Sequence, residues 1–78
     1  LKNGSLPDPG EGWNRSRAGN YWRGAILGHG EVPVGQCLSV LAKAGYDGVV
    51  SIEFEGMEPS EIGITIGLEN LKRYIANL

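Results

Sequence analysis

At 78 residues the chain is at most one small domain, and a chain of that length buries only about 60% of the surface its unfolded form exposes. One cysteine, Cys37, excludes an intrachain disulfide, and one histidine, His29, with no CxxC excludes the usual zinc-finger spacings. The net charge of −2 and the lack of a basic stripe argue against a nucleic-acid partner, and no apolar run approaches the roughly 18 residues that a membrane helix needs.

The chain divides near residue 31. Residues 1–31 are rich in Gly, Pro, Asn and Asp, hold both tryptophans, and show no sustained period of 2 or 3.6. They read as one long loop with a short ordered turn near Tyr21 and Trp22. A loop of this length in a compact domain is usually functional or disordered.

Residues 32–78 are patterned as helix, strand, helix. Val34, Cys37, Leu38 and Leu41 recur at i, i+3, i+4 and i+7, which predicts a helix over about 33–44. Pro33 suits its first turn and Gly45 its C′ position. Residues 49–54 form a short apolar, β-branched run that ends among acidic residues, which reads as a buried strand of the parallel-sheet type. Ile64, Leu68, Leu71 and Ile75 predict a second amphipathic helix over about 60–76. Gly63 and Gly67 weaken its early turns by roughly 1 kcal/mol each relative to Ala, or permit close packing there.

A strand apolar on both faces requires neighbours at both edges and cover on both sides. The chain offers no good second parallel strand beyond the stub at residues 1–3. The expected class is therefore α/β with part of its sheet missing. Pattern alone does not separate a barrel from an open sheet.

Three motifs sharpen this reading: Gly28-His29-Gly30-Glu31-Val32-Pro33, then Gly45-Tyr46-Asp47-Gly48, then Ser51-Ile52-Glu53. In order and spacing, with Gly67-Leu68-Glu69-Asn70-Leu71 in the closing helix, they resemble the C-terminal segment of the sugar phosphate isomerase/epimerase family, the xylose isomerase-like TIM barrels. Leu1-Lys2-Asn3 resembles the end of that family's H-x-K-(D/N) strand. The resemblance implies a C-terminal fragment of a (β/α)8 TIM barrel, namely the end of strand 7, a long active-site loop over 1–31, helix 7, strand 8 and helix 8. A whole barrel runs to about 250 residues.

Glu53 is the leading candidate for chemistry, because catalytic groups cluster at the C-terminal ends of barrel strands. Without the resemblance, Glu53 reads first as a solvated carboxylate at a strand exit. The resemblance implies that Glu53 is both a metal ligand and a catalytic group, with Mn, Mg, Co or Zn as the divalent ion. The implied reaction moves a proton next to a sugar carbonyl through an enediolate. Glu55 is the runner-up ligand but reads first as a solvated carboxylate in the loop after the strand, and Asp47 serves its turn.

The resemblance implies Lys2, Trp22 and Arg23 as substrate contacts, with Arg15, Arg17, Trp13 and Tyr21 in the same loop. Arginine suits phosphate or hydroxyl recognition by its fork of donors. His29 occupies a variable position of its turn and is expected on the surface. Cys37 falls on an apolar helix face and is expected as a small core residue. The turn at 28–31 lacks the Lys-Ser/Thr and Gly spacing of phosphate-binding loops.

The expected substrate is a small sugar or sugar phosphate, and the expected partner is the remainder of the barrel or a second copy of the chain. The expected compartment is the cytoplasm, and the 78 residues alone should be inactive. Two alternatives accompany this reading: a non-catalytic truncated module that self-associates, and a dehydratase of the same fold. A nuclease of the endonuclease IV type is disfavoured by the acidic balance and by the absence of an Asp-Arg-His run in the long loop.

Overall fold

The structure, a computed structural model, describes the backbone of residues 2–4 and all of residues 10–78. The region expected as a loop holds a small sheet. Its strands are β1 (Lys2–Gly4), β2 (Asn14–Arg15) and β3 (Tyr21–Arg23), in the order β1-β3-β2. Both pairings are antiparallel, with Asn3 opposite Trp22 on one side of β3 and Asn14 opposite Trp22 on the other.

The turn between β2 and β3 closes on itself. Ser16 N–H donates to the Asn20 carbonyl at 2.6 Å, and Asn20 N–H donates to the Ser16 hydroxyl at 3.1 Å. Gly19 supplies the left-handed conformation there, at φ +89°. Strands of two and three residues are too short to show a period in sequence, and this is why composition suggested only a loop.

The first helix, α1, spans Val34–Lys43. It ends in a Schellman motif: Tyr46 N–H donates to the Leu41 carbonyl and Gly45 N–H to the Ala42 carbonyl. Gly45 takes φ +82°, as the C′ position of that motif requires. Of the expected apolar face only Leu38 is buried, while Leu41 and Cys37 are exposed. The expectation of Cys37 as a core residue is therefore not met, because α1 is covered along one narrow stripe.

The second helix, α2, spans Ser60–Ala76, and its buried residues are Gly63, Gly67, Asn70 and Leu71. Of the expected stripe, Leu71 is buried, but Ile64, Leu68 and Ile75 are each more than 40% exposed. The helix has rolled toward its glycines because another chain segment comes close there. A Cβ on Gly63 would lie 2.5 Å from the Phe54 ring, and one on Gly67 would touch Leu27 and Ile52.

That segment is the one expected as a buried strand over 49–54. It forms no strand ladder, and this corrects the expectation of a strand there. Its burial still alternates: Ile52 and Phe54 are half-buried against α2, while Ser51, Glu53 and Glu55 are exposed. Val49 is 82% exposed. The segment ends in a single parallel bridge between Gly24 and Gly56. The stub expected to pair with it as the end of strand 7 is β1, and β1 pairs antiparallel with β3 instead. The physical reason is a lack of partners: the described residues supply no parallel strand for either edge, so the alternation survives without its ladder. No barrel-type parallel ladder forms among the described residues.

Burial is correspondingly thin. Ile26, Leu38 and Leu71 are the buried apolar side chains among the described residues. The radius of gyration is 14.3 Å, against roughly 11.5 Å for a compact chain of this length. Leu71, 4% exposed, is the anchor between α2 and the rest. Leu71→Ala is expected to cost about 2–3 kcal/mol, the lower part of the usual range, because thin surroundings relax into the space. A denaturant midpoint that does not move would show that Leu71 is not part of a cooperative core.

A polar clamp joins α2 to the stretch after β3. Asn70 is buried, its Nδ2 donates to the Leu27 carbonyl at 2.8 Å, and its Oδ1 accepts from Arg73 Nη2 at 2.6 Å. Asn70→Leu strands that carbonyl and is expected to cost about 1–3 kcal/mol in the same unfolding assay. A change below half a kcal/mol would mean that water satisfies the carbonyl as well as the amide does. No helix among the described residues is long and apolar enough to cross a membrane.

Candidate functional site

The site begins with a glycine. Gly24 follows β3 directly, and a Cβ there would lie 2.6 Å from the Glu55 carbonyl oxygen and 2.8 Å from its carbon. Only glycine allows this approach, because the obstructing atoms belong to the backbone and cannot swing away. The parallel bridge from Gly24 to Gly56 then lays the end of β3 alongside residues 53–56.

This contact brings Trp22, Glu53 and Glu55 to one concavity of about 300 Å3, floored by Gly24 and Ala25. Trp22 is 38% exposed, and both carboxylates are exposed. A second concavity of about 250 Å3 adjoins it, sharing Ala25 and Glu53 and lined otherwise by apolar groups such as Ile26, Val34 and Ile52. Glu53 thus stands at the rim that the two hollows share. Residues 53 and 55 lie on the same side of the extended segment, opposite the side that Ile52 and Phe54 turn to α2.

The other expected contacts are elsewhere. Arg23 is adjacent to Trp22 on β3, so the two side chains leave the strand on opposite faces. The Arg23 guanidinium lies 5.3 Å from the Trp13 ring centroid, and its Nη1 donates to Met57 Sδ at 3.3 Å. Arg23 Nε and Glu58 Oε1 are buried without a hydrogen-bond partner among the described residues. Lys2 falls on β1, and its side chain lies outside the described residues. Arg15 and Arg17 are exposed on β2 and its turn. His29 is exposed in the turn closed by its N–H on the Ile26 carbonyl.

The structure therefore joins Trp22 to Glu53 and separates Arg23 from both. It adds Glu55 as a full member of the wall and Gly24 as the residue that sets the spacing. The i, i+2 placement of Glu53 and Glu55 on an extended segment was a sequence signal for the first. Nothing in the sequence marked Gly24 among the thirteen glycines.

Two carboxylates are hard oxygen donors of the type that Mg or Mn prefers. In kind they fit a divalent ion. In number they do not complete a centre, since no group of three or more His, Cys, Asp or Glu side chains is assembled among the described residues. The chain's share of such a centre would be Glu53, with Glu55 beside it. No family model, curated protein or solved structure matches the chain.

Proposed function

We propose that the chain is the closing segment of a cytoplasmic, metal-dependent sugar or sugar-phosphate isomerase or epimerase of the xylose isomerase-like barrel class, with Glu53 as its contribution to the reacting centre. The observation that carries the reading is the position of Glu53: it shares a hollow with Trp22 and Glu55 on the side away from α2. A (β/α)8 barrel has the same division, with helices outside and catalytic groups at the inner strand ends. The bare face at Val49, Ser51 and Glu53 and the unpaired strand-like segment are what such a piece presents when its neighbouring strands lie on other residues.

The chemistry follows from the residues. A divalent ion, when bound, polarises the carbonyl and hydroxyl oxygens of the sugar. Glu53 would be this chain's ligand to such an ion, and its carboxylate would be the group that accepts the proton on the carbon next to the carbonyl. The proton held on Glu53 exchanges with solvent; delivery of a proton from this carboxylate to the neighbouring carbon isomerises the sugar, whereas epimerisation needs a second acid on the opposite face, which Glu53 alone does not supply. Trp22 walls the pocket and excludes water from one side of the sugar.

The test is proton exchange with solvent. The polypeptide that carries these residues, supplied with Mn and a panel of ketoses and aldoses in D2O, is expected to place one deuterium on the carbon next to the carbonyl. Retention of every carbon-bound proton across the panel would end the isomerase reading. A product 18 mass units lighter would mark the related dehydratase, in which the same abstraction is followed by loss of a hydroxyl.

A second reading has its own observation. Ile64, Leu68 and Ile75 form an exposed apolar stripe on α2, which favours a non-catalytic module that self-associates. Sedimentation separates the two, because that reading requires a stable oligomer of the 78 residues themselves.

A further inference from the structure

Met57 is the chain's one methionine, and its sulfur joins residues 12–13 to β3. Arg23 on β3 donates to Met57 Sδ through Nη1 at 3.3 Å, and the same guanidinium lies 5.3 Å from the Trp13 ring centroid. Gly12 completes the seat. A Cβ there would lie 2.8 Å from Sδ and 2.9 Å from Cε, so the thioether occupies the space that a side chain would fill. Residues 12–13 run directly into β2, which is an edge strand of the small sheet. The seat is open to solvent, since Met57 is 57% exposed.

A thioether is a weak acceptor, and its sulfur is open to two-electron oxidation. A sulfur lone pair attacks one oxygen of hydrogen peroxide, and the S–O bond forms as the O–O bond breaks. The hydroxyl proton moves to the departing oxygen, which leaves as water. Sulfur is oxidised and the peroxide is reduced. The new oxygen is a strong acceptor, and the guanidinium donor beside it holds it by a charge-assisted hydrogen bond. Gly12 has no such hold on a sulfoxide, and Sδ already fills the space beside it. Arg23 keeps the oxidised side chain, and the backbone at 12–13 gives way.

We propose that Met57 is a redox-sensitive modification site. Its oxidation to the sulfoxide by hydrogen peroxide releases residues 12–13, and β2 with them, from the seat made by Arg23 and Met57. This latch works whatever the role of Glu53.

The experiment treats the full polypeptide with hydrogen peroxide, follows Met57 by peptide mass, and reads the exposed bonds after Arg15 and Arg17 by limited trypsin digestion. Met57 is expected to gain one oxygen. Cleavage after Arg15 and Arg17 is expected to become about fivefold faster while sites elsewhere keep their rates. Methionine sulfoxide reductases are expected to return the original rate. Met57→Leu, at an exposed position, is expected to show no response to peroxide after Arg15 and Arg17. Met57→Gln, polar without any oxidant, is expected to be cleaved at the oxidised rate. A Met57 that resists peroxide at doses that convert N-acetylmethionine amide overturns the latch. So does an oxidised protein whose cleavage after Arg15 and Arg17 is unchanged or slower, or an equal peroxide response in Met57→Leu.

Discussion

Glu53→Gln is expected to lower turnover of the full polypeptide by about a thousandfold, through kcat more than KM, because on the proposed reading the substitution removes a proton acceptor and a metal oxygen together. The side chain is exposed and has no structural partner among the described residues, so the unfolding midpoint should stay within about 0.5 kcal/mol of the wild type. That pairing of a large kinetic effect with a small thermodynamic one is what distinguishes a reacting carboxylate from a surface one. A Glu53→Gln protein that turns over substrate within threefold of the wild type would assign Glu53 to the solvent.

Gly24→Val is expected to have the largest effect on the fold, about 3 kcal/mol. A Cβ at this position meets the Glu55 carbonyl at 2.6 Å, and a branched side chain forces the end of β3 and residues 53–56 apart. The Gly24–Gly56 bridge goes with it, and Trp22 separates from Glu53 and Glu55. Turnover should therefore fall even at temperatures where the variant remains folded. Gly45→Ala is the control, because Gly45 needs its left-handed φ of +82° but has nothing within 4 Å of its Cβ position. That variant should lose about 1–2 kcal/mol with turnover per folded molecule unchanged. Equal losses of turnover in the two variants would show that the Gly24 contact does not position the site.

Both helices were legible in the sequence, because each is long enough for its apolar period to be counted, and the Gly45 stop has a definite backbone requirement. Which face of α2 is buried was less so. Its apolar residues marked Ile64, Leu68 and Ile75, but close approach of Phe54 and Ile52 buries Gly63 and Gly67 instead. Hydrophobicity ranks side chains by what they gain from burial, and a glycine stripe is buried for what it lacks. The three short strands were invisible for want of length. The segment over 49–54 kept its period of two but not its ladder, since pattern records the faces of a strand and pairing depends on which strands are present. At the site, Glu53 and Trp22 were marked by residue type and position. Their separation from Arg23 is a consequence of strand alternation once Tyr21–Arg23 is known to be β3, and the loop reading of that stretch hid it.

Metal stoichiometry tests the central claim most directly. The full polypeptide carrying these residues, purified without chelator and dialysed against trace Mn, is expected to hold one divalent ion per chain by elemental analysis. Glu53→Gln, prepared in parallel, should lose most of it. Equal metal in both proteins, or none in the wild type under saturating Mn, would contradict the placement of Glu53 in a metal centre and with it the enzyme this segment is proposed to complete.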